Sequence, residues 1–210
     1  MFEDREDAGK QLATKIKKTL KDSNYIVVGI VRGGVVVARV VADALGAKLK
    51  GIVVRKIGAP FSSELAIGAV GSGKVVYWDE NLIKKLKIRA NYKSSVLKEK
   101  FREVKNLEEK FSIQKNSLEF ENKRVIIVDD GVATGATVLC ALKVLKTQGT
   151  KEVVLAVPVI SNESFDSIKG YFDKVIVLKK ARDFSAVGQF YKDFPQVQDE
   201  EVVKILASSN

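Results

Sequence analysis

RVIIVDDGVATGATV, residues 124 to 138, changes character at its middle. After Arg124 comes an apolar, β-branched run, Val125 to Val128, of strand length. Two adjacent aspartates follow, then glycines, alanines and threonines, and from about Ala136 to Gln148 the pattern is helical until Gly149 stops it. The segment therefore reads strand, tight turn, helix. Gly131 and Gly135 free the backbone to turn closely. The first amides of the helix have no partner inside it, and the N-terminal end carries partial positive charge. An anion fits there, and the hydroxyls of Thr134 and Thr137 can add donors to it. A helix cap alone would explain one aspartate and one threonine, but not paired acids, two glycines and two threonines within nine residues.

Working outward, the same alternation repeats. Residues 3 to 20 have apolar positions at Leu12, Ile16 and Leu20, a helical spacing, followed by the turn residues Asp22, Ser23 and Asn24. YIVVGIV (25 to 31) is a strand, RGGV a turn, and the following run a helix closed by Gly46. KLKGIVVRKI (48 to 57) reads as one strand, 58 to 75 as a glycine- and serine-rich loop, and KVVYWD as a short strand. Residues 80 to 116 are mostly helical, with an apolar seam at Leu97, Phe101, Val104 and Phe111 expected to pack on the sheet. After 124 to 130 come a helix, the strand EVVLAVPV, the helix NESFDSIKGYF, the strand KVIVLKK and a terminal helix DEEVVKILA. Compact apolar strands alternating with helices indicate an α/β fold, a three-layer α/β/α sandwich with a mainly parallel central sheet, as one domain over 1 to 210. Ligands of such folds bind beyond the carboxyl ends of the strands.

Composition narrows the chemistry. With no histidine there is no Ser-His-Asp triad and no histidine base or metal ligand. A single cysteine, Cys140, forms no internal disulfide and fits a reducing cytoplasm. The charged N-terminus has no signal-like apolar stretch, and no window reaches membrane-spanning length. The net charge of +10 suits polyanions, but the lysines are scattered, as on a solvated surface, without a nucleic-acid-binding motif.

Carboxylates accept hydrogen bonds, so Asp129 and Asp130 ask for a pair of hydroxyls, a hydrated Mg²⁺ or a cationic centre. A ribose 5-phosphate satisfies the whole loop, with its phosphate on the amides and its hydroxyls on the aspartates. VIIVDDGVATGAT resembles the phosphoribosyl-pyrophosphate signature of type I phosphoribosyltransferases, and VRGGV (31 to 35) resembles their pyrophosphate loop. VVRKIGAPFSSELAIGAV (53 to 70) and FSAVGQFYKDFPQVQDEEV (184 to 202) are similar to a little-characterised subgroup of that family, so the resemblance runs through nearly the full chain.

The resemblance implies transfer of ribose 5-phosphate from phosphoribosyl pyrophosphate to a nitrogenous base, with Mg²⁺ and release of pyrophosphate, and a homodimer. It implies that Gly131, Val132, Ala133, Thr134, Gly135, Ala136 and Thr137 cradle the 5-phosphate. Asp129 and Asp130 would hold the ribose and, mainly through water and substrate, the Mg²⁺. Arg32, Gly33 and Gly34 would bind the diphosphate, joined by Arg55 and Lys56 at a strand end on the ligand side. It implies a lid over about 58 to 75, where Glu64 is the candidate for handling the base proton, and a hood over about 183 to 198. In the hood Phe184 and Tyr191, with Phe190 and Phe194 nearby, are candidates for stacking on a heterocycle. Ala133 stands where the hypoxanthine and guanine enzymes carry an aspartate, which speaks against a 6-oxopurine. A sensor that binds the same ligand without catalysis and regulates through nucleic acid is the alternative. A phosphotransfer receiver would leave RGG and TGAT without a task.

Overall fold

The computed structural model describes residues 1 to 21, 24 to 113 and 119 to 208, without the side chain of Glu64. Asp22 and Ser23 of the expected turn, and residues 114 to 116 of the expected helical region, lie outside the described residues.

In chain order the elements are α1 (Arg5–Thr19), β1 (Ile26–Ile30), α2 (Gly33–Leu45), β2 (Leu49–Ile52), β3 (Val54–Ala59), β4 (Ser62–Gly71) and β5 (Val75–Trp78). Then come α3 (Glu80–Lys85), α4 (Ala90–Lys110), β6 (Arg124–Val128), α5 (Ala136–Thr147), β7 (Glu152–Ser161), α6 (Asn162–Ile168), β8 (Lys174–Ala181) and α7 (Asp199–Ala207). Five strands form a fully parallel sheet in the order β2-β1-β6-β7-β8. One face is covered by α1 and α2, where Leu12, Ile16, Val37 and Val41 pack on Val27, Ile126, Val154 and Ile176. The opposite face carries α5, whose Val138, Leu142 and Leu145 join Val28, Ile127 and Leu155. Both faces are buried, which is why the strands read as unbroken apolar runs rather than as alternations.

The sequence expectation of one strand over 48 to 57 is corrected. Ile52 ends β2 in the parallel sheet, the chain passes through Val53, and β3 begins a separate three-stranded antiparallel sheet, β3-β4-β5. No glycine, proline or polar residue marks the transfer, because the run is buried in both sheets. The expected loop over 58 to 75 is likewise corrected. Ser62–Gly71 is a ten-residue strand, and the glycines Gly58, Gly68 and Gly71 of this region are needed for close approach rather than for looseness. A Cβ on Gly58 would stand 2.7 Å from Ser63 Cα, at a register shift in the hairpin. The apolar seam of α4 does pack on this second sheet, where Val104 and Phe111 are buried with Ile57, Ile67 and Val70.

The strand order reverses between β1 and β6. The chain leaves β1 toward α2 on one face and leaves β6 toward α5 on the other, so a crevice opens where the carboxyl ends of these neighbours part. The two glycine-bearing motifs sit at that crevice.

Candidate active site

Asp129 and Asp130 follow directly on Val128, the last residue of β6, which pairs with Gly29 of β1. The loop after them is braced by β7, which runs five residues past the register partner of Val128. Val132 forms a bridge to Ile160, its amide donating to Val159 O at 2.9 Å and its carbonyl accepting from the Ser161 amide. The Ser161 and Ser164 hydroxyls both donate to the carbonyl of Ala133. Gly135 adopts the left-handed conformation (φ 83°) and opens α5 without any side-chain cap. The first amides of that helix, with the Thr134 and Thr137 side chains beside them, thus form an uncapped, rigidly held donor set.

The RGG turn lies against the two aspartates. A Cβ on Gly33 would be 2.0 Å from Asp130 Oδ2, and one on Gly34 would be 2.7 Å from Asp129 Oδ1. Gly33 begins α2, which also lacks a side-chain cap, and the peptide bond between Val31 and Arg32 is cis. Two segments nearly a hundred residues apart are therefore in atomic contact, and two helix N-termini approach one pair of carboxylates. Burial and the charge of Asp130 raise the affinity of Asp129 for a proton, opposed by the Asp130 amide, which donates to its Oδ1 at 3.0 Å, and by Lys56 and Arg5. Asp130 is also raised, by burial, with Arg5 working against the shift.

The cations expected around the diphosphate divide. Arg55 and Lys56 are neighbours in β3 and so point to opposite faces. Lys56 is exposed, and its charge acts on both aspartates. Arg55 instead donates to Glu103 of α4 at 3.0 Å. Arg32 meets Asp199 of α7 at 2.7 Å, but off the hydrogen-bond axis, so that Arg32 Nε and Asp199 Oδ1 are buried without an aligned partner. The backbone of Glu64 lies in β4, and its side chain is outside the described residues.

In the hood, Tyr191 is corrected from a stacking residue to an internal one. Its ring lies between Phe2 and Phe194, only 5% of the residue is exposed, and its hydroxyl donates to Asp130 O at 2.6 Å. Phe184 is half-buried and packs on Phe190. Sequence reasoning missed Arg5, whose Nε donates to Asp130 Oδ2 at 2.9 Å, and Asp199, the partner of Arg32. Arg5 did carry a signal: a cation in the first turn of a helix opposes the helix dipole, so another group must hold it there. A cavity of about 590 Å³ lies elsewhere, between β2, α4, α5 and α7, and none of the motif residues lines it.

The model of the phosphoribosyl transferase domain family matches residues 2 to 194. The chain belongs to that family. Among relatives of this phosphoribosyl transferase domain is a Mycobacterium tuberculosis protein named "Putative phosphoribosyl transferase Rv0571c", 38% identical over 206 residues. The alignment covers 98% of this chain and 46% of the relative, so the chain spans about half the length of the curated relatives it matches. The crystal structure of TT1426 from Thermus thermophilus is 36% identical with a TM-score of 0.81, over 99% of this chain and 98% of that one. The AQ2163 protein from Aquifex aeolicus, 13% identical with a TM-score of 0.53 over 84% of this chain and 74% of that one, shares the fold. The domain is thus a type I phosphoribosyltransferase fold, as the sequence reading expected. Among its described residues no helix is long and apolar enough to cross a membrane.

Proposed function

We propose that the chain transfers ribose 5-phosphate from phosphoribosyl pyrophosphate to a nitrogenous base and releases pyrophosphate. The observation that carries this reading is the contact of the RGG turn with the acidic pair, since it sets a diphosphate loop, a sugar-binding pair and an uncapped phosphate cradle around one crevice. The 5-phosphate is taken by the amides of Gly131 to Thr137 and the hydroxyls of Thr134 and Thr137. Asp129 and Asp130 hold the ribose hydroxyls and favour the positive charge that develops on the ring as the bond to pyrophosphate breaks. The glycine amides of the RGG turn and Arg32 receive the departing diphosphate, with Lys56 as the nearer of the two strand-end cations. Arg32 suits that task because it stands immediately before the two glycines at the uncapped start of α2.

Magnesium is of the right chemistry for two carboxylates, but among the described residues no group of three or more acidic, Cys or His side chains could hold a metal. Asp129 and Asp130 would hold it together with water and substrate oxygens. When bound, the ion supplies positive charge to the leaving diphosphate. The acceptor base would meet Phe184 under the hood, and the hairpin of β3 and β4, whose Phe61 is exposed at the turn, would cover the reacting centre. Glu64 remains the candidate for the base proton.

The test is to incubate the protein with phosphoribosyl pyrophosphate, Mg²⁺ and a panel of nucleobases and to measure released pyrophosphate. Release with one base class and not others is expected; no release with any base would overturn the assignment as a transferase. Alongside it, Asp129→Asn combined with Asp130→Asn is expected to abolish calorimetric binding of phosphoribosyl pyrophosphate while the circular dichroism spectrum is retained. Unchanged affinity in the double variant would remove the aspartates from the site.

A further inference from the structure

We propose that Arg5 is a positioning residue of this site: it fixes Asp130 and the Gly33-Gly34 backbone lying on it, and ties both to the hood. What the site binds rests on the phosphoribosyl-transfer reading above; the positioning role rests on geometry alone.

Arg5 opens α1 and is 8% exposed. Its guanidinium has three separate engagements. Nε donates to Asp130 Oδ2 at 2.9 Å, Nη1 donates to Pro195 O at 2.8 Å, and the guanidinium carbon stands 3.7 Å from the centroid of the Phe194 ring. The rigid fork of an arginine makes such simultaneous contacts, which a lysine cannot reproduce. Asp130 is held from a second side by Tyr191, whose hydroxyl donates to its carbonyl. Against the same Asp130 Oδ2 lies Gly33, whose hypothetical Cβ would also come within 3.1 Å of Arg5 Nε. Four chain segments therefore meet around Asp130: the start of α1, the RGG turn, the end of β6 and the hood.

Phe2 adds the backbone part of the tie. Its amide donates to Phe190 O at 2.8 Å, its carbonyl accepts from the Lys192 amide at 2.9 Å, and the Asp193 amide donates to Glu3 O. The strap and the guanidinium lie side by side, so the hood cannot lift without disturbing the partner of Asp130. One Asp130 oxygen is thereby committed to Arg5, which leaves Oδ1 for a sugar hydroxyl and makes the orientation of that oxygen a consequence of Arg5. Removing the guanidinium would leave a buried carboxylate beside a second one with no contact cation. The RGG backbone that rests on it would lose its support.

The experiment uses Arg5→Met and Arg5→Lys in the full chain, with two measurements. Amide hydrogen exchange on the ligand-free protein is expected to rise about tenfold or more at Phe2, Lys192 and Asp193, whose amides form the strap, in Arg5→Met, while amides of β7 and α5 keep their protection. A purely structural ion pair would instead raise exchange evenly. Arg5→Lys, which keeps the charge, is expected to raise exchange at Phe2, Lys192 and Asp193, and it carries the test if the methionine variant does not fold. Calorimetry with phosphoribosyl pyrophosphate and Mg²⁺ is expected to show binding at least about tenfold weaker in Arg5→Met. Exchange unchanged at the strap amides, or affinity within about twofold of the parent chain, overturns the positioning role. If the parent chain fails to bind while the local exchange rises as stated, the functional reading falls and the positioning role stands.

Discussion

Gly33 has no room for a methyl group. The 2.0 Å separation from Asp130 Oδ2 means that Gly33→Ala must push the carboxylate off Arg5 or shift the start of α2. Overpacking of this kind costs about 1–3 kcal/mol, so a lower denaturation midpoint is expected. Loss of diphosphate binding by calorimetry should accompany it. Gly34→Ala is expected to behave alike, through Asp129. Cys140 allows a different check. It is fully buried beside the carbonyl of Val75, and burial pushes its thiol up to about 12. At pH 8 a thiol reagent should label it only in denaturant; rapid labelling of the native protein would contradict the packing of α5 on the second sheet. The acidic pair, both glycine turns and the threonines were legible in the sequence because they form one local pattern. Arg5 and Tyr191 were not. Their partners lie 125 and 61 residues away, and only the fold makes an arginine in a charged N-terminal run or a tyrosine in an aromatic run into contacts of Asp130.

The elements that were read correctly, β1, α2, β6, α5, β7 and β8, are those in which one run of residues serves one layer. The mistakes fell where the chain changes sheets. Residues 48 to 57 serve two sheets with one apolar run, and the glycines of 58 to 75 meet close neighbours, a demand that in one dimension looks the same as flexibility. α7 shows the same limit from the other side. Asp199, Glu200 and Glu201 stand in its first turn, where the helix dipole favours acids, yet Asp199 joins Arg32 on the RGG turn to Lys110 of α4. Because the Arg32 contact is off-axis, Asp199 competes for the arginine without satisfying it. Asp199→Asn is therefore expected to tighten pyrophosphate binding a few-fold in calorimetry while changing stability by about 1 kcal/mol or less. Weaker binding would show that α7 presents Arg32 to the ligand rather than restraining it.

Across the whole molecule, the two ends of the parallel sheet are built differently. The crevice occupies the carboxyl ends of β1 and β6, while at their amino ends Arg124 donates to Glu152 at 2.8 Å and to the Tyr25 hydroxyl, which itself donates to Glu152 at 2.7 Å. Burial resists ionisation of Glu152, but the bonds from Arg124 and Tyr25 outweigh it and hold the carboxyl below its ordinary value of 4.5. A carboxyl lowered on folding stabilises the native state above its unfolded value and loses that contribution as pH falls through the folded one. Glu152→Gln should thus lower the melting temperature at pH 7, and the gap from the parent chain should close as pH drops below about 4. A gap independent of pH would mean that packing, not charge, makes the contribution. The strap between Phe2 and Phe190 has its own consequence in time. On the ribosome, Pro195 is made 190 residues after Arg5. A nascent chain that has emerged through Ala181 possesses every strand of the parallel sheet but not the hood that closes on Arg5. The acidic pair would acquire its full set of neighbours only once Tyr191 and Pro195 have emerged.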